Sequence, residues 1–161
     1  MSKYLDEYVV GEKFISSART VTETDVVTFA CTTGDMHPNH TDAAYMEHSQ
    51  FGKRIAHGML GIAWAHGFLY RLDIITESAI AFLKIEGWNF QAPIFFGDTI
   101  HAEITVKEIV NSRSKPDRGI LKLFFEIVNQ NGVVCQSGTK WIMMKRQRPE
   151  IMEKEKKNER Q

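Results

Sequence analysis

The sequence is poor in cysteine and has no surplus of charge of either sign. Its two cysteines, Cys31 and Cys135, are too few and too far apart for a disulfide framework or a zinc site. Both lie in apolar patterns, so we expect buried, reduced thiols. Twenty basic residues balance twenty acidic ones, which gives a formal net charge of zero. That balance gives no reason to expect nucleic acid or an anionic membrane as a partner.

The sequence also lacks a long hydrophobic run. No stretch approaches the roughly 18 apolar residues that indicate a membrane span. The richest segment, residues 55–75, is interrupted by two histidines, an arginine and an aspartate. The first residues lack the basic-then-apolar layout of a secretory signal. We therefore expect a cytoplasmic protein.

The residues that are present suit a packed globular domain. With 161 residues, 43% of them hydrophobic and 25% charged, the chain has the size and composition of one domain. Beyond Arg148-Pro149 the sequence consists mostly of Glu, Lys and Arg, which is typical of a solvated segment. We assign residues 1–146 to a single domain and residues 147–161 to a charged C-terminal tail.

The first half of the sequence favours helices. Thr22 can cap a helix whose Asp25 returns a hydrogen bond to the cap, and Gly34 can end it in a left-handed conformation. A short helix is predicted from Thr41-Asp42 to His48. A longer one is predicted from Gly58 to Leu72, with apolar residues on nearly every side. Such a helix is usually buried on most of its faces.

The second half favours strands. Polar and apolar residues alternate from His101 to Lys107 and again from Leu121 to Ile127, as they do in half-buried strands. Further strands are predicted from Ile80 to Phe90 and from Cys135 to Met144. Asn131-Gly132 predicts a hairpin turn in which both residues adopt positive φ.

Together these elements predict an α+β fold. An antiparallel sheet of about five strands would wrap around one long buried helix, with the short helix lying outside that core. A sheet of this size covers only one side of the helix. A second copy of the chain is a simple cover for the other side, so we expect at least a homodimer, with higher homo-oligomers left open.

The main signal for chemistry is a cluster of histidines. Five of the six lie between positions 37 and 66, and Asp35 lies beside them. Pro38 cannot continue a helix, so residues 35–40 are predicted to form a loop. Asp35 and His40 on such a loop can hold one water between them and move its protons. A capping aspartate and a surface histidine in an ordinary turn would give the same local pattern.

A second signal is Gly58 at the start of the long helix. The amide of a first helical residue has no partner within the helix and lies at the positive end of the helix dipole. Because glycine has no Cβ, a carbonyl oxygen can approach this amide closely, as an oxyanion site requires. The alternative is that Gly58 merely allows a helix to begin in a crowded place.

The histidines also raise the question of a metal. His37 and His40 form a His-x-x-His pair that His57 or His66 could complete. However, Pro38 separates the pair, so the two rings do not share a helical face. We therefore expect no metal.

Two separated motifs resemble those of a known family. The first comprises residues 34–40 (GDMHPNH), Asp42, Phe51-Gly52 and residues 55–60 (IAHGML). The second comprises residues 90–99 (FQAPIFFGDT). In this order they closely resemble the signatures of the MaoC-like dehydratases, which include the (R)-specific enoyl-CoA hydratases. The resemblance extends over nearly the whole chain apart from the tail.

This resemblance implies a hot-dog fold that is dimeric as its basic unit, with a CoA thioester entering near the subunit interface. It also implies Asp35 and His40 as the catalytic dyad and the Gly58 amide as the oxyanion donor. The implied reaction is the reversible syn hydration of a trans-2-enoyl-CoA to an (R)-3-hydroxyacyl-CoA. No redox cofactor is needed, and CoA is part of the substrate.

Other side chains near the motifs are predicted to line the substrate site, namely His37, His57, Met59, Trp64 and His66. Two positions depart from the family pattern, because His37 replaces the usual Asn and Asn39 replaces the usual Leu. His66 also stands where some relatives carry Ser near the dyad. These changes make the surroundings of the dyad more polar and bear on the choice of substrate.

Two alternative functions remain open at this point. The hot-dog fold also hosts acyl-CoA thioesterases, and a fold alone does not fix the chemistry. The other alternative is a non-catalytic acyl-CoA-binding or regulatory protein, because the family's historical name refers to regulation of monoamine oxidase. The neutral charge disfavours a DNA-binding regulator, and the intact Asp35 and His40 disfavour a protein that has lost its activity.

Overall fold

The computed structural model describes residues 2–149 of the chain. After a short 3-10 helix at Leu5–Glu7, these residues form four α-helices and six strands. The helices are α1 (Glu23–Thr33), α2 (Pro38–Thr41), α3 (Ala43–Glu47) and α4 (Gly58–Arg71). The strands are β1 (Lys13–Ile15), β2 (Arg19–Thr20), β3 (Ala79–Phe90), β4 (Thr99–Asn111), β5 (Arg118–Val128) and β6 (Val134–Lys145).

The strands form one antiparallel sheet in the order β1-β4-β5-β6-β3, and β2 also pairs with β4. The sheet packs around α4, so that Phe68 and Leu69 of the helix share one buried cluster with Leu123 and Phe125 of β5. This arrangement confirms the predicted α+β fold, an antiparallel sheet around one long helix. Strand β3 lies at an edge of the sheet, and only β6 pairs with it among the described strands.

Local sequence signals determine where α1 begins and ends. The Thr22 hydroxyl accepts a hydrogen bond from the Asp25 amide at 3.3 Å, and the Asp25 carboxylate accepts one from the Thr22 amide at 2.9 Å. Gly34 ends the helix with φ of +79°, a conformation that disfavours residues with a Cβ. The predicted cap and stop are therefore confirmed, and the chain turns directly into Asp35.

The prediction of a loop over residues 35–40 is wrong in its second half. Helix α2 begins at Pro38, with proline in its first turn. Proline is tolerated there because the amide that it lacks would have no helical partner anyway. His40 therefore lies on a short helical turn rather than in a loop.

The expectation that α4 is buried on most faces is wrong for the single chain. Leu60, Trp64 and Phe68 are buried, whereas Met59 and Tyr70 are 61% and 63% exposed. The sequence pattern could not distinguish these faces, because both are apolar. One face of α4 therefore packs against the sheet and the other remains partly open.

Two smaller predictions also need correction. Cys31 is exposed on α1, whereas Cys135 is buried as expected, and both thiols are free. In the β5–β6 turn only Gly132 has positive φ, at +74°. Asn131 does not need positive φ, because the Asn129 side chain accepts hydrogen bonds from the amides of Asn131 and Val133 and shapes a longer turn.

The last described residues pack against the start of the chain. Arg148 donates to the Glu7 carboxylate at 3.1 Å and to the Ser2 carbonyl at 3.0 Å. Most of the predicted charged tail, residues 150–161, lies outside the described residues. Within residues 2–149, no helix has the length and apolar character needed to cross a membrane.

Candidate active site

Asp35 follows the left-handed residue that ends α1, and local hydrogen bonds hold it there. Its amide donates to the Thr33 hydroxyl at 3.3 Å, and its carboxylate accepts from the His37 amide at 3.3 Å. The second contact is an Asx turn, in which a side chain replaces a backbone acceptor. The carboxylate remains exposed and therefore accessible to a ligand.

His40 is oriented by the segment that leads into α4. Its Nδ1 lies 2.7 Å from the Ile55 carbonyl oxygen. A carbonyl can only accept, so Nδ1 carries the proton and Nε2 of the neutral ring has a free lone pair. Partial burial lowers the pKa of His40, and the hydrogen bond to Ile55 opposes this effect only in part. The ring is therefore a proton acceptor near neutral pH.

His57 connects the two residues of the predicted dyad. It is 2% exposed, and its Nε2–H donates to the main-chain carbonyl of Asp35 at 2.9 Å. Its ring stacks on the ring of His40 with centroids 3.7 Å apart and planes inclined by 28°. Phe29 also packs on His57, and the centroids of the two rings lie 5.0 Å apart.

One donor atom from each of Asp35, His40 and His57 lies within 4.8 Å of the other two. The structure thus brings the predicted dyad together and adds a third group that the sequence did not assign to it. Within residues 2–149 these three, rather than the His37 and His40 pair, form a set that could hold a metal ion. The expectation of a metal-free site stays a prediction.

Gly58 is the first residue of α4, so its amide has no partner within the helix. Its carbonyl accepts a hydrogen bond from the Gln136 side chain at 3.2 Å, and the Trp88 indole donates to the same side chain at 3.1 Å. A Cβ at Gly58 would come within 2.8 Å of the Phe90 ring. A side chain at this position would therefore require the Phe90 ring to move, whereas glycine leaves the ring in place and its amide open to an oxygen atom.

A cavity of about 310 Å³ opens beside these residues, and both His40 and Gly58 line it. Its opposite wall is the second sequence motif, through Ala92, Pro93 and Ile94. That motif is held in place by Asp98, which accepts hydrogen bonds from the Phe95 amide and the Gln130 side chain. The second motif therefore builds the wall of the site rather than supplying its reactive groups.

A second cavity, of about 320 Å³, begins one residue further along α4. Met59 and His66 line it from the helix, Phe82 from β3 and Lys140 from β6. Phe29, which packs on His57, also lines this cavity. The two cavities are therefore lined by neighbouring residues of α4, Gly58 in the first and Met59 in the second.

The other predicted substrate-site residues are placed differently. His37 caps α2 by accepting a hydrogen bond from the Asn39 amide, and its ring lies 6.2 Å from that of His40. Trp64 is 7% exposed, belongs to the core and has the Arg19 guanidinium over its ring. Trp64 lines neither cavity, so only His37, His57, Met59 and His66 lie near the dyad or the cavities.

Two buried polar residues that line these cavities were missed from the sequence, namely Gln136 and Lys140. Both lie on β6. The inward position of Lys140 could have been predicted from the sequence. Side chains of a strand alternate between its two faces, so Lys140 lies on the same face as the apolar Ile142 and Met144. A lysine at an inward position of a strand is unusual, because lysine is rarely buried without a partner.

The fold and the site together define the class of the protein. It has a hot-dog fold in which an aspartate and a histidine lie near the first residue of α4. A family model described as the MaoC like domain matches residues 7–122, which is more than half of the chain. The protein belongs to the MaoC-like dehydratase family.

Curated relatives agree with this assignment. The chain is 36% identical over 105 residues to Protein MaoC of Klebsiella aerogenes, covering 65% of this chain but only 31% of that protein. It is 32% identical over 107 residues to an (R)-specific enoyl-CoA hydratase of Rhodospirillum rubrum, covering 66% of this chain and 72% of the relative.

Solved structures support the fold. A monoamine oxidase regulatory protein from Archaeoglobus fulgidus has a TM-score of 0.85 and 33% identity, covering 91% of this chain and 97% of that one. A Mycobacterium tuberculosis protein described as having a double hot-dog fold has a TM-score of 0.82 and 18% identity, covering 92% of this chain and 46% of that one. The predicted hot-dog fold is therefore confirmed.

Proposed function

We propose that the protein is a hydro-lyase that reversibly hydrates a trans-2-enoyl-CoA to an (R)-3-hydroxyacyl-CoA. The observation that carries the proposal is the placement of three groups. His40 and Gly58 line one cavity, and Asp35 offers a carboxylate oxygen within 4.8 Å of a ring nitrogen of His40. The Rhodospirillum rubrum relative, named as an (R)-specific enoyl-CoA hydratase, supports the choice of substrate class.

The chemistry follows from the roles that these groups can take. A water held between Asp35 and His40 adds its oxygen to the β-carbon of the enoyl group, and the dyad accepts its proton. The negative charge moves to the thioester oxygen, where the Gly58 amide donates a hydrogen bond to it. The dyad then returns the proton to the α-carbon from the same face. We assign both proton transfers to the pair, because closely spaced groups titrate together.

The phosphates of CoA need cationic partners. Lys53 and Arg54 lie just before the segment that orients His40, and their charged groups stand over the rings of Phe95 and Phe96 at 4.3 and 4.7 Å. Arg54 also pairs with Glu23 at 2.8 Å. We therefore assign the phosphate contact first to Lys53, which is exposed and lies two residues before Ile55 in the lining of the first cavity.

The exposed edge of the sheet supports a homodimer. Strand β3 has twelve residues, and its apolar side chains Ile80, Phe82, Leu83, Ile85 and Phe90 are between 36% and 57% exposed. A long apolar edge strand invites pairing with another chain. Two copies joined along β3 would cover this surface and the open face of α4.

We place the reaction in the cytoplasm, where the exposed Cys31 would stay reduced.

The test is a hydration assay with crotonyl-CoA, followed both by enoyl absorbance and by a reagent for free thiol. The proposal predicts loss of the absorbance without release of thiol. Asp35→Asn and His40→Ala should each lower kcat/KM by about 10²-fold or more, as expected for lost acid–base catalysis. Release of thiol would identify a thioesterase instead, and near-normal activity of either variant would remove that residue from the mechanism.

A further inference from the structure

Lys140 is a buried cation without a carboxylate partner. Its side chain is 1% exposed, and its Nζ donates to the Ile62 carbonyl of α4 at 3.0 Å. Three aromatic rings surround the ammonium group, those of Phe125, Trp88 and Phe82, at 5.1, 5.3 and 5.9 Å. Within residues 2–149 no acidic side chain forms an ion pair with it.

This arrangement is costly for a residue with only a structural role. Removing an ammonium group from water costs several kcal/mol unless a counter-charge replaces the lost solvation. The one hydrogen bond and the three aromatic rings around Lys140 replace the lost solvation only in part. Burial accordingly lowers the pKa of Lys140 to about 8, which leaves the group mostly protonated at neutral pH. Two of its three N–H donors have no oxygen acceptor among the described residues.

Lys140 also lines the second cavity, whose other lining residues are apolar apart from His66. Met59, Ile62, Ala63 and His66 of α4 line this cavity, at the spacing of one helical face. The cavity begins at the residue after Gly58. From Gly58 to Ile62, whose carbonyl binds Lys140, the helix rises about 6 Å. An acyl chain that runs along this face of α4 from the Gly58 amide would therefore end beside Lys140.

His66 adds a polar group at the same place. Burial, and then the nearby charge of Lys140, lower the pKa of His66, so its ring is neutral at neutral pH. A neutral imidazole retains one N–H donor. The ring packs on Phe82 with centroids 5.4 Å apart. The polar side chains among the residues that line this cavity are thus a cation and a neutral histidine.

We infer that this cavity binds the acyl chain and that Lys140 binds a carboxylate at its far end. The inference rests on the proposed function and names its substrate class: short trans-2-enoyl thioesters of dicarboxylic acids. The carboxylate supplies the counter-charge that Lys140 lacks, and His66 donates a second hydrogen bond. A chain ending in a methyl group would instead leave the buried cation unpaired.

The experiment compares two thioesters of similar length. Glutaconyl-CoA ends in a carboxylate, whereas trans-2-hexenoyl-CoA ends in a methyl group. The carboxylate oxygens and the methyl carbon lie the same number of bonds from the thioester carbonyl. We expect the wild-type protein to prefer glutaconyl-CoA in kcat/KM by about tenfold or more. Lys140→Met should lower kcat/KM for glutaconyl-CoA by about thirtyfold or more, the range found when one partner of a buried charge pair is removed. Its kcat/KM for hexenoyl-CoA should stay the same or rise.

Lys107→Met is the matched control, because Lys107 is an exposed lysine on β4 of the same sheet and should change neither rate. A wild-type preference for hexenoyl-CoA would overturn the inference. So would a Lys140→Met variant that loses both activities equally, since that result would mean that Lys140 only fastens β6 to α4.

A binding measurement separates failure of this inference from failure of the proposed function. The saturated thioesters glutaryl-CoA and hexanoyl-CoA undergo no hydration, so calorimetry reports the cavity alone. Tighter binding of glutaryl-CoA that Lys140→Met abolishes supports the inference even if no enoyl thioester is hydrated. Equal binding of both thioesters overturns it even if crotonyl-CoA is hydrated.

Discussion

The imidazole of His57 stacks on that of His40 at 3.7 Å, and its Nε2–H donates to the main-chain carbonyl of Asp35 at 2.9 Å. One buried ring thus contacts both members of the dyad. The contact joins segments separated by 22 positions in the sequence, namely the end of α1 and the start of α4. His57 therefore fixes the position of the Asp35 main chain relative to the His40 ring, and we expect it to act as a positioning residue.

Two substitutions of His57 separate its two contacts. His57→Phe keeps a ring for stacking but loses the donor to Asp35, whereas His57→Gln keeps a donor but loses the ring. We expect each to lower kcat for crotonyl-CoA hydration by about 10-fold to 100-fold, because small misplacements of reacting groups cost this much. KM should change little. Unchanged kcat in both variants, with circular dichroism showing an intact fold, would contradict a positioning role.

Local and distant determinants of the site were not equally visible in the sequence. The Thr22 cap and the Gly34 stop were predicted correctly because their partners lie within four residues. The contact between His57 and Asp35 was missed because it depends on how α1 and α4 meet. The exposed side of α4 was missed for a related reason, since an apolar pattern does not say whether the sheet or another chain covers it.

Lys140 shows a different limit of sequence reasoning. Its inward position follows from the alternation of β6, but its unpaired state depends on which residues of α4, β3 and β5 face it. No local pattern contains that information. Conversely, the second motif, around Pro93, was recognised in the sequence, but its role as a wall of the first cavity was not. Residues that only form a wall need no particular chemical group, so their sequence gives no sign of that role.

The pH dependence of hydration should report the protonation of His40. Burial lowers the pKa of His40 below its ordinary value of 6.5. If the neutral ring accepts the proton of water, kcat/KM should be constant at neutral pH and fall as pH drops through a value below 6.5. Because the Asp35 charge raises the pKa of His40, Asp35→Asn should move this limb to lower pH.

His48→Gln is a control for that profile, because His48 is exposed beside α3 and contacts neither cavity. Its pH profile should match that of the wild type. A rate that rises as the pH falls through the same range would mean that His40 acts in its protonated form, contrary to the proposed role.

Gly58→Ala tests the oxyanion donor. The new methyl group would lie 2.8 Å from the Phe90 ring and would crowd the amide where the thioester oxygen must approach. We expect kcat/KM to fall by about 10²-fold, the effect of losing one oxyanion-hole donor. Phe90→Ala in the same background relieves the clash without clearing the approach to the amide. Recovery of full activity in the double variant would show that the loss came from crowding of β3 alone.

The exposed β3 strand predicts a specific response to an added charge. Leu83 is 43% exposed on this strand, and Leu83→Glu should turn a dimer into a monomer, because charged side chains oppose pairing of edge strands. Light scattering in solution measures the change. Ile15→Glu is the matched control, since Ile15 is 66% exposed on β1 at the opposite edge and should leave the dimer intact. A monomeric wild type, or a Leu83→Glu dimer, would contradict pairing along β3.

The burial of Lys140 also predicts how stability depends on pH. Its pKa is about 8 in the folded chain, against an ordinary value of 10.5 for an exposed lysine. Between these values the unfolded chain binds more protons, so the free energy of unfolding should rise with pH from 8 to 10.5.

A shift of this size corresponds to about 3 kcal/mol of destabilisation at pH values below 8. Lys140→Met lacks the buried amine. The difference in unfolding free energy between the wild type and this variant therefore reports Lys140 alone, because both proteins share all other titrating residues. Urea unfolding at pH 7, 8, 9 and 10 should therefore show the variant to be more stable at pH 7, with the difference narrowing towards pH 10. A difference that stays constant over this range would mean that folding does not remove the amine from water. The buried, unpaired charge from which we infer carboxylate binding would then be absent.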